Sequence, residues 1–63
     1  MKPTPGRIVN FKDHNGKLWA ALISDINKDN TVSLWVFYRD EIKPYLAIKQ
    51  GQDSMQWDWP KYN

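Results

Sequence analysis

Thr31-Val32-Ser33-Leu34-Trp35-Val36-Phe37-Tyr38 is the stretch whose reading decides the fold. It is rich in β-branched and aromatic residues, and its side chains alternate in character. Successive residues of a strand point to opposite sides, so Val32, Leu34 and Val36 make one all-aliphatic row, while Thr31, Ser33, Trp35 and Phe37 make the other. The aliphatic row belongs inside. Trp35 and Phe37 are therefore expected on an outer face or in an interface.

Working backwards, Asn27-Lys28-Asp29-Asn30 is a reversal, and residues 17–26 (Lys-Leu-Trp-Ala-Ala-Leu-Ile-Ser-Asp-Ile) precede it. Leu18, Ala21, Leu22 and Asp25 have helical spacing, but the segment is short, is flanked by turn signals and must partner another strand, so it reads as a long strand. A four-residue loop at 27–30 makes paired residue numbers sum to 57. That register sets Ile23 opposite Leu34, Ala21 opposite Val36, Leu22 opposite Trp35, and Trp19 opposite Tyr38 near Phe37. A three-residue loop exchanges the two faces and brings Leu22 inward, and a bulge near Ala20-Ala21 would let both sets be used. Residues 7–11 (Arg-Ile-Val-Asn-Phe) form the first strand after Gly6. Asn15-Gly16 turns the chain between the two, because both residues tolerate positive φ.

Working forwards, residues 39–44 are polar and end in Pro44, which predicts a loop of irregular or one-turn helical form. Residues 45–48 make a short fourth strand, stopped by 49–53. Residues 54–59 make the last, with Met55, Trp57 and Trp59 on one side and Pro60 ending it. Five short strands with turns every eight to twelve residues predict an all-β, antiparallel, SH3-like barrel in one domain over residues 1–63, its last strand closed against its first. An OB-like barrel is the alternative.

The chain has four Trp, three Tyr and two Phe in 63 residues. A domain of this size buries only about 60% of the surface its unfolded chain exposes, so some of these rings must sit at the surface, where they mark contact sites. Cysteine is absent, which excludes disulfides, thiolate zinc sites and a cysteine nucleophile and points to the cytoplasm. No apolar run approaches the roughly 18 residues that span a bilayer, and the first residues lack the apolar stretch of a signal peptide, so no membrane is expected as a partner. Nine Lys and Arg and seven Asp and Glu, spread along the chain, give a net charge of +2. There is no basic run of the kind that marks a nucleic-acid binder.

Lys2-Pro3-Thr4-Pro5-Gly6-Arg7-Ile8-Val9-Asn10-Phe11, Ala20-Ala21-Leu22-Ile23-Ser24-Asp25-Ile26, Val32-Ser33-Leu34-Trp35-Val36 and Trp57-Asp58-Trp59-Pro60 resemble, in this order, a group of small uncharacterised bacteriophage proteins. Those open with a Pro-Gly-Arg-Ile-Val-His-Tyr type of strand and close with Trp-His-Trp-Pro. Here Asn10-Phe11 stands in place of His-Tyr, and Asp58 in place of the histidine between the tryptophans, so no histidine chemistry carries over. The resemblance implies phage origin, a host-cell cytoplasmic location and an SH3-like fold, and it brings no activity.

Catalytic chemistry has little to draw on. His14 is the single histidine and lies in a turn, Asp40 and Glu41 are neighbours in a polar loop, and no phosphate loop, nucleophile elbow or metal-ligand spacing occurs. The chain is read as no enzyme, with no cofactor and no metal. Its candidate partner-binding residues are Trp19, Trp35, Phe37, Tyr38, Arg39, Trp57 and Trp59, of which Trp, Tyr and Arg are the types that dominate protein hot spots. Trp57 and Trp59 have a second reading, as a plug of the barrel bottom with their indole N–H groups bonded to backbone carbonyls. The expected function is that of a phage-derived binding module that engages a host protein, as an inhibitor or modulator of a host enzyme or defence system. The alternatives are a single-stranded nucleic-acid binder, with Arg39, Lys17 and Lys43 on phosphates, and a virion or assembly component. A homodimer would bury the same aromatic patch.

Overall fold

A computed structural model describes residues 2–60. It is all-β, with five antiparallel strands, β1 (Ile8–Lys12), β2 (Leu18–Ile26), β3 (Val32–Phe37), β4 (Ile42–Ile48) and β5 (Gln56–Asp58). They form one curled sheet in the order β4-β3-β2-β1-β5, consistent with a small SH3-like or OB-like barrel. The last strand does pair with the first, Phe11 facing Trp57. The ring is drawn further together where Trp57 meets the chain after β4. There the Trp57 amide donates to the Lys49 carbonyl at 3.1 Å and the Gly51 amide to the Trp57 carbonyl at 2.8 Å.

The register of β2 on β3 follows the four-residue-loop expectation through Ala21–Val36, Leu22–Trp35 and Ile23–Leu34. One residue is then inserted on β2, so that Asp25 faces Ser33. This bulge falls at Ser24, whose Oγ donates to the Ser33 carbonyl at 3.1 Å, and not near Ala20-Ala21. The inward row on β3 is Val32, Leu34 and Val36, each buried, joined by Val9, Phe11, Ala21, Ile23, Ile48 and Trp57.

Two loops are held by carboxylates. Asp13 accepts from the amides of Asn15 and Lys17, both at 2.9 Å, and Asp29 accepts from the Thr31 hydroxyl at 2.6 Å. In the first turn Gly16, at φ 82°, takes the left-handed position while Asn15 does not, so the reversal runs from Asp13 to Lys17 as a three-residue connection.

The expectation for residues 39–44 is corrected. The reversal is confined to residues 38–41, where the Tyr38 amide donates to the Glu41 carbonyl at 2.8 Å, and β4 already begins at Ile42 and runs straight through Pro44, which pairs with Trp35. Proline is tolerated there because β4 is an edge strand, where a missing N–H breaks no ladder bond. β4 carries its own irregularity between the Val32–Ile48 and Leu34–Tyr45 pairs, where Ala47 has φ 58°. The last strand is shorter than residues 54–59, because Met55 turns to φ 62° and leaves the pleat.

The nine apolar residues buried among the described residues carry the fold, and a chain of this length has a whole stability of only about 3–9 kcal/mol. Phe11→Ala, which empties the centre of that core, is expected to cost about 3–5 kcal/mol. Urea denaturation followed by circular dichroism at 25 °C should find the unfolding midpoint of this variant far below that of the parent.

Candidate functional site

The pleat that buries Val9, Ala21 and Val36 sends their neighbours outward. The pairs Ile8–Leu22, Leu22–Trp35 and Trp35–Pro44 are successive, so these four side chains form one apolar row across β1, β2, β3 and β4. Beside it on the same face lie Ala20, Phe37 and Ile42, with Phe37 paired to Ile42 and Leu18 two residues beyond Ala20. Ile8, Leu18, Trp35 and Ile42 are between 43% and 55% exposed, far above what core packing leaves. None of these eight residues is ionisable. Towards β5 the face becomes polar, through Asn10, Lys12, Gln56 and Asp58.

The seven candidate residues do not share one surface. Trp35 and Phe37 lie on the outer face as expected. Trp19 and Tyr38 do meet, their rings 4.8 Å apart and edge-on, but they are partly buried and pack against the core from its own side. Arg39 follows Tyr38 in the exposed turn before β4. Trp57 is 1% exposed, which removes it from any docking surface. Its burial was one of the two readings, but its indole N–H meets no backbone carbonyl, and among the described residues Nε1 has no acceptor. Trp59 packs edge-on against Trp57 at 5.2 Å and stays partly buried, with the Arg7 guanidinium 6.0 Å from its ring centre.

Trp19 and Tyr38 belong to an aromatic chain at one end of the barrel. Phe11 stacks on Tyr45 at 5.0 Å, the Tyr45 and Tyr38 hydroxyls bond at 2.7 Å, and the Trp19 indole donates to the Asp13 carboxylate at 2.8 Å. The Lys17 ammonium lies 4.4 Å from the Trp19 ring centre, a cation–π contact made within the chain. Burial first, and then the Tyr45 hydroxyl, push Tyr38 above the ordinary phenol range, so it stays neutral. Each polar group here already has a partner, and the cluster reads as scaffolding.

A cleft of about 260 Å³ opens at the β1–β5 flank, with Lys12, Gln52, Gln56, Asp58 and Trp59 among its walls. Two bonds join residues of its walls, the Lys12 ammonium donating to the Gln52 carbonyl at 2.7 Å and the Trp59 amide to the Asp58 carboxylate at 2.8 Å. Among the described residues no three His, Cys, Asp or Glu side chains converge to hold a metal ion, and no helix is long and apolar enough to cross a membrane.

Sequence reasoning missed Ile8, Leu18, Ile42 and Pro44 as members of the outer face. The signal was present for Ile8, which alternates with buried Val9. For Ile42 and Pro44 it was hidden by the proline. Fold and surface together define a small antiparallel barrel-like protein with one uncharged, apolar sheet face. Comparison with family models, with curated proteins and with solved structures brings no match.

Asp13 is held below its ordinary 3.8 by the Trp19 indole first and then by the Lys17 amide, against the opposing effect of burial. A carboxylate depressed in the folded state contributes stability that is complete above pH 3.8 and is lost as the pH falls through its lower folded value. Asp29 is depressed too, by the Thr31 hydroxyl and amide. The urea midpoint is therefore expected to fall below pH 3.8, and Asp13→Asn should lower it at neutral pH while flattening part of that acid decline.

Proposed function

We propose that this protein is a non-enzymatic binding module that docks its outer sheet face on another protein, and that, in line with the phage resemblance, the target is a host-cell factor whose action it modulates. The observation that carries the reading is the uninterrupted row Ile8–Leu22–Trp35–Pro44. Water-exposed apolar side chains aligned across four strands contribute nothing to the core and are unfavourable until something covers them. A central Trp in such a patch is the residue type on which binding energy concentrates.

Nucleic-acid binding is favoured less, because the same block is uncharged. Of the three cations assigned to phosphates, Lys43 lies 3.5 Å from the Glu41 carboxylate and Lys17 sits over Trp19. A phosphate binder would also lose affinity by orders of magnitude as salt rises.

The test is capture by the tagged protein from host cells, after nuclease treatment and at two salt concentrations, with Trp35→Ala run in parallel. Trp35→Ala is expected to keep the circular dichroism of the parent and to weaken binding by about 2 kcal/mol or more, roughly 30-fold. A protein held at the higher salt by the parent and released by this variant supports the reading. Recovery of nucleic acid and no specific protein in a parallel capture without nuclease, lost at the higher salt, overturns it.

A further inference from the structure

We infer that in the free protein the outer face is covered by a second copy of the same chain, in a symmetric face-to-face dimer that must open before another protein can dock. The inference rests on the reading of this face as a docking surface and names its first occupant. Ile8, Leu18, Trp35 and Ile42 are each about half exposed and lie with Ala20, Leu22, Phe37 and Pro44 in one apolar block across four strands, unlike the singly scattered apolar residues of an ordinary monomer surface.

Charge favours a copy as the occupant. A two-fold axis sets a surface against itself, so any excess of one sign meets the same sign across the interface. This block has no ionisable side chain, and its polar flank carries one base and one acid, Lys12 and Asp58, on neighbouring strands. The face is electrically compatible with itself.

The sheet edges discourage the other common mode of self-association, strand addition. β4 carries Pro44 in its middle and the Glu41–Lys43 ion pair at its start, both of which blunt an edge against a further strand. β5 is three residues long and is already bonded at Trp57 to Lys49 and Gly51. What remains is face-on packing, two sheets about 10 Å apart with their side chains interleaved, as in a β-sandwich.

Sedimentation equilibrium of the full chain, from low micromolar to millimolar concentration, tests this. The expected mass rises to twice the 7.5 kDa of the chain, and the thermal midpoint rises with concentration, as mass action requires. Trp35→Lys and Ile42→Lys should both remain at the single-chain mass with the circular dichroism of the parent. In a mixed sample of isotope-labelled and unlabelled chains, contacts between the Trp35 ring and methyl groups of Ile8, Leu22 or Ile42 of the other copy should appear. This readout does not depend on the variants folding. A parent that keeps the single-chain mass throughout overturns the dimer while leaving the docking reading to the capture experiment. Dimers that persist in both lysine variants, or intermolecular contacts confined to other residues, overturn it as well. Loss of capture with the dimer intact would instead reject the host-factor reading alone.

Discussion

Phe11 is the residue on which the rest of the structure depends. It faces Trp19 on one side and Trp57 on the other, and its ring stacks on Tyr45 of β4, so one side chain joins the first strand to the second, fourth and fifth. From it the aromatic chain runs through Tyr45 to Tyr38 and from Tyr38 to Trp19, where the Asp13 carboxylate anchors it to the first turn. With nine buried apolar side chains among the described residues, the domain has few ways to obtain rigidity. Large rings in mutual contact supply much area from few residues, and that area offsets the cost of ordering so short a chain.

The same economy explains the outer face. The core takes its small and branched side chains from alternate positions, which commits the intervening positions to the other side whatever their chemistry. In most half-buried sheets those positions are polar. Here β2 and β3 place Leu18, Ala20, Leu22, Trp35 and Phe37 there, a composition suited to an interior. Local propensity and pairing agree with a single fold throughout. Beyond the unbonded Trp57 indole and the irregular Pro44 and Ala47 of β4, the mismatch lies between this face and water, and such mismatches gather where a protein meets something else.

Much of this was legible from the chain. Alternation over residues 31–38 identified the inward row, and the pairing sum of 57 that sets Leu22 beside Trp35 was one of two registers left open, because a one-residue change in loop length exchanges the faces of the whole strand. The bulge at Ser24 was not legible where it occurs, since nothing in Ser24-Asp25 differs from ordinary strand-end chemistry. Pro44 misled because the argument against proline in a strand holds for interior strands, and strand order, which decides whether β4 is interior, is a long-range property. Trp57 and Trp59 alternate with Asp58 and looked equivalent. Only the pairing of Trp57 with Phe11 separates the buried ring from its half-covered neighbour.

The short β5 has a consequence for how the protein comes into being. Phe11 and Trp57 pair across most of the described residues, with β2, β3 and β4 between them in the sequence. While residues 56–58 are still within the ribosome, β1 to β4 can pair, but one side of Phe11 stays open. The chain is then a sheet with apolar residues on both surfaces, and a nascent polypeptide of that kind is a ready substrate for chaperones. The docking of β5 on β1, more than any step along the first four strands, is the moment at which this molecule acquires an inside.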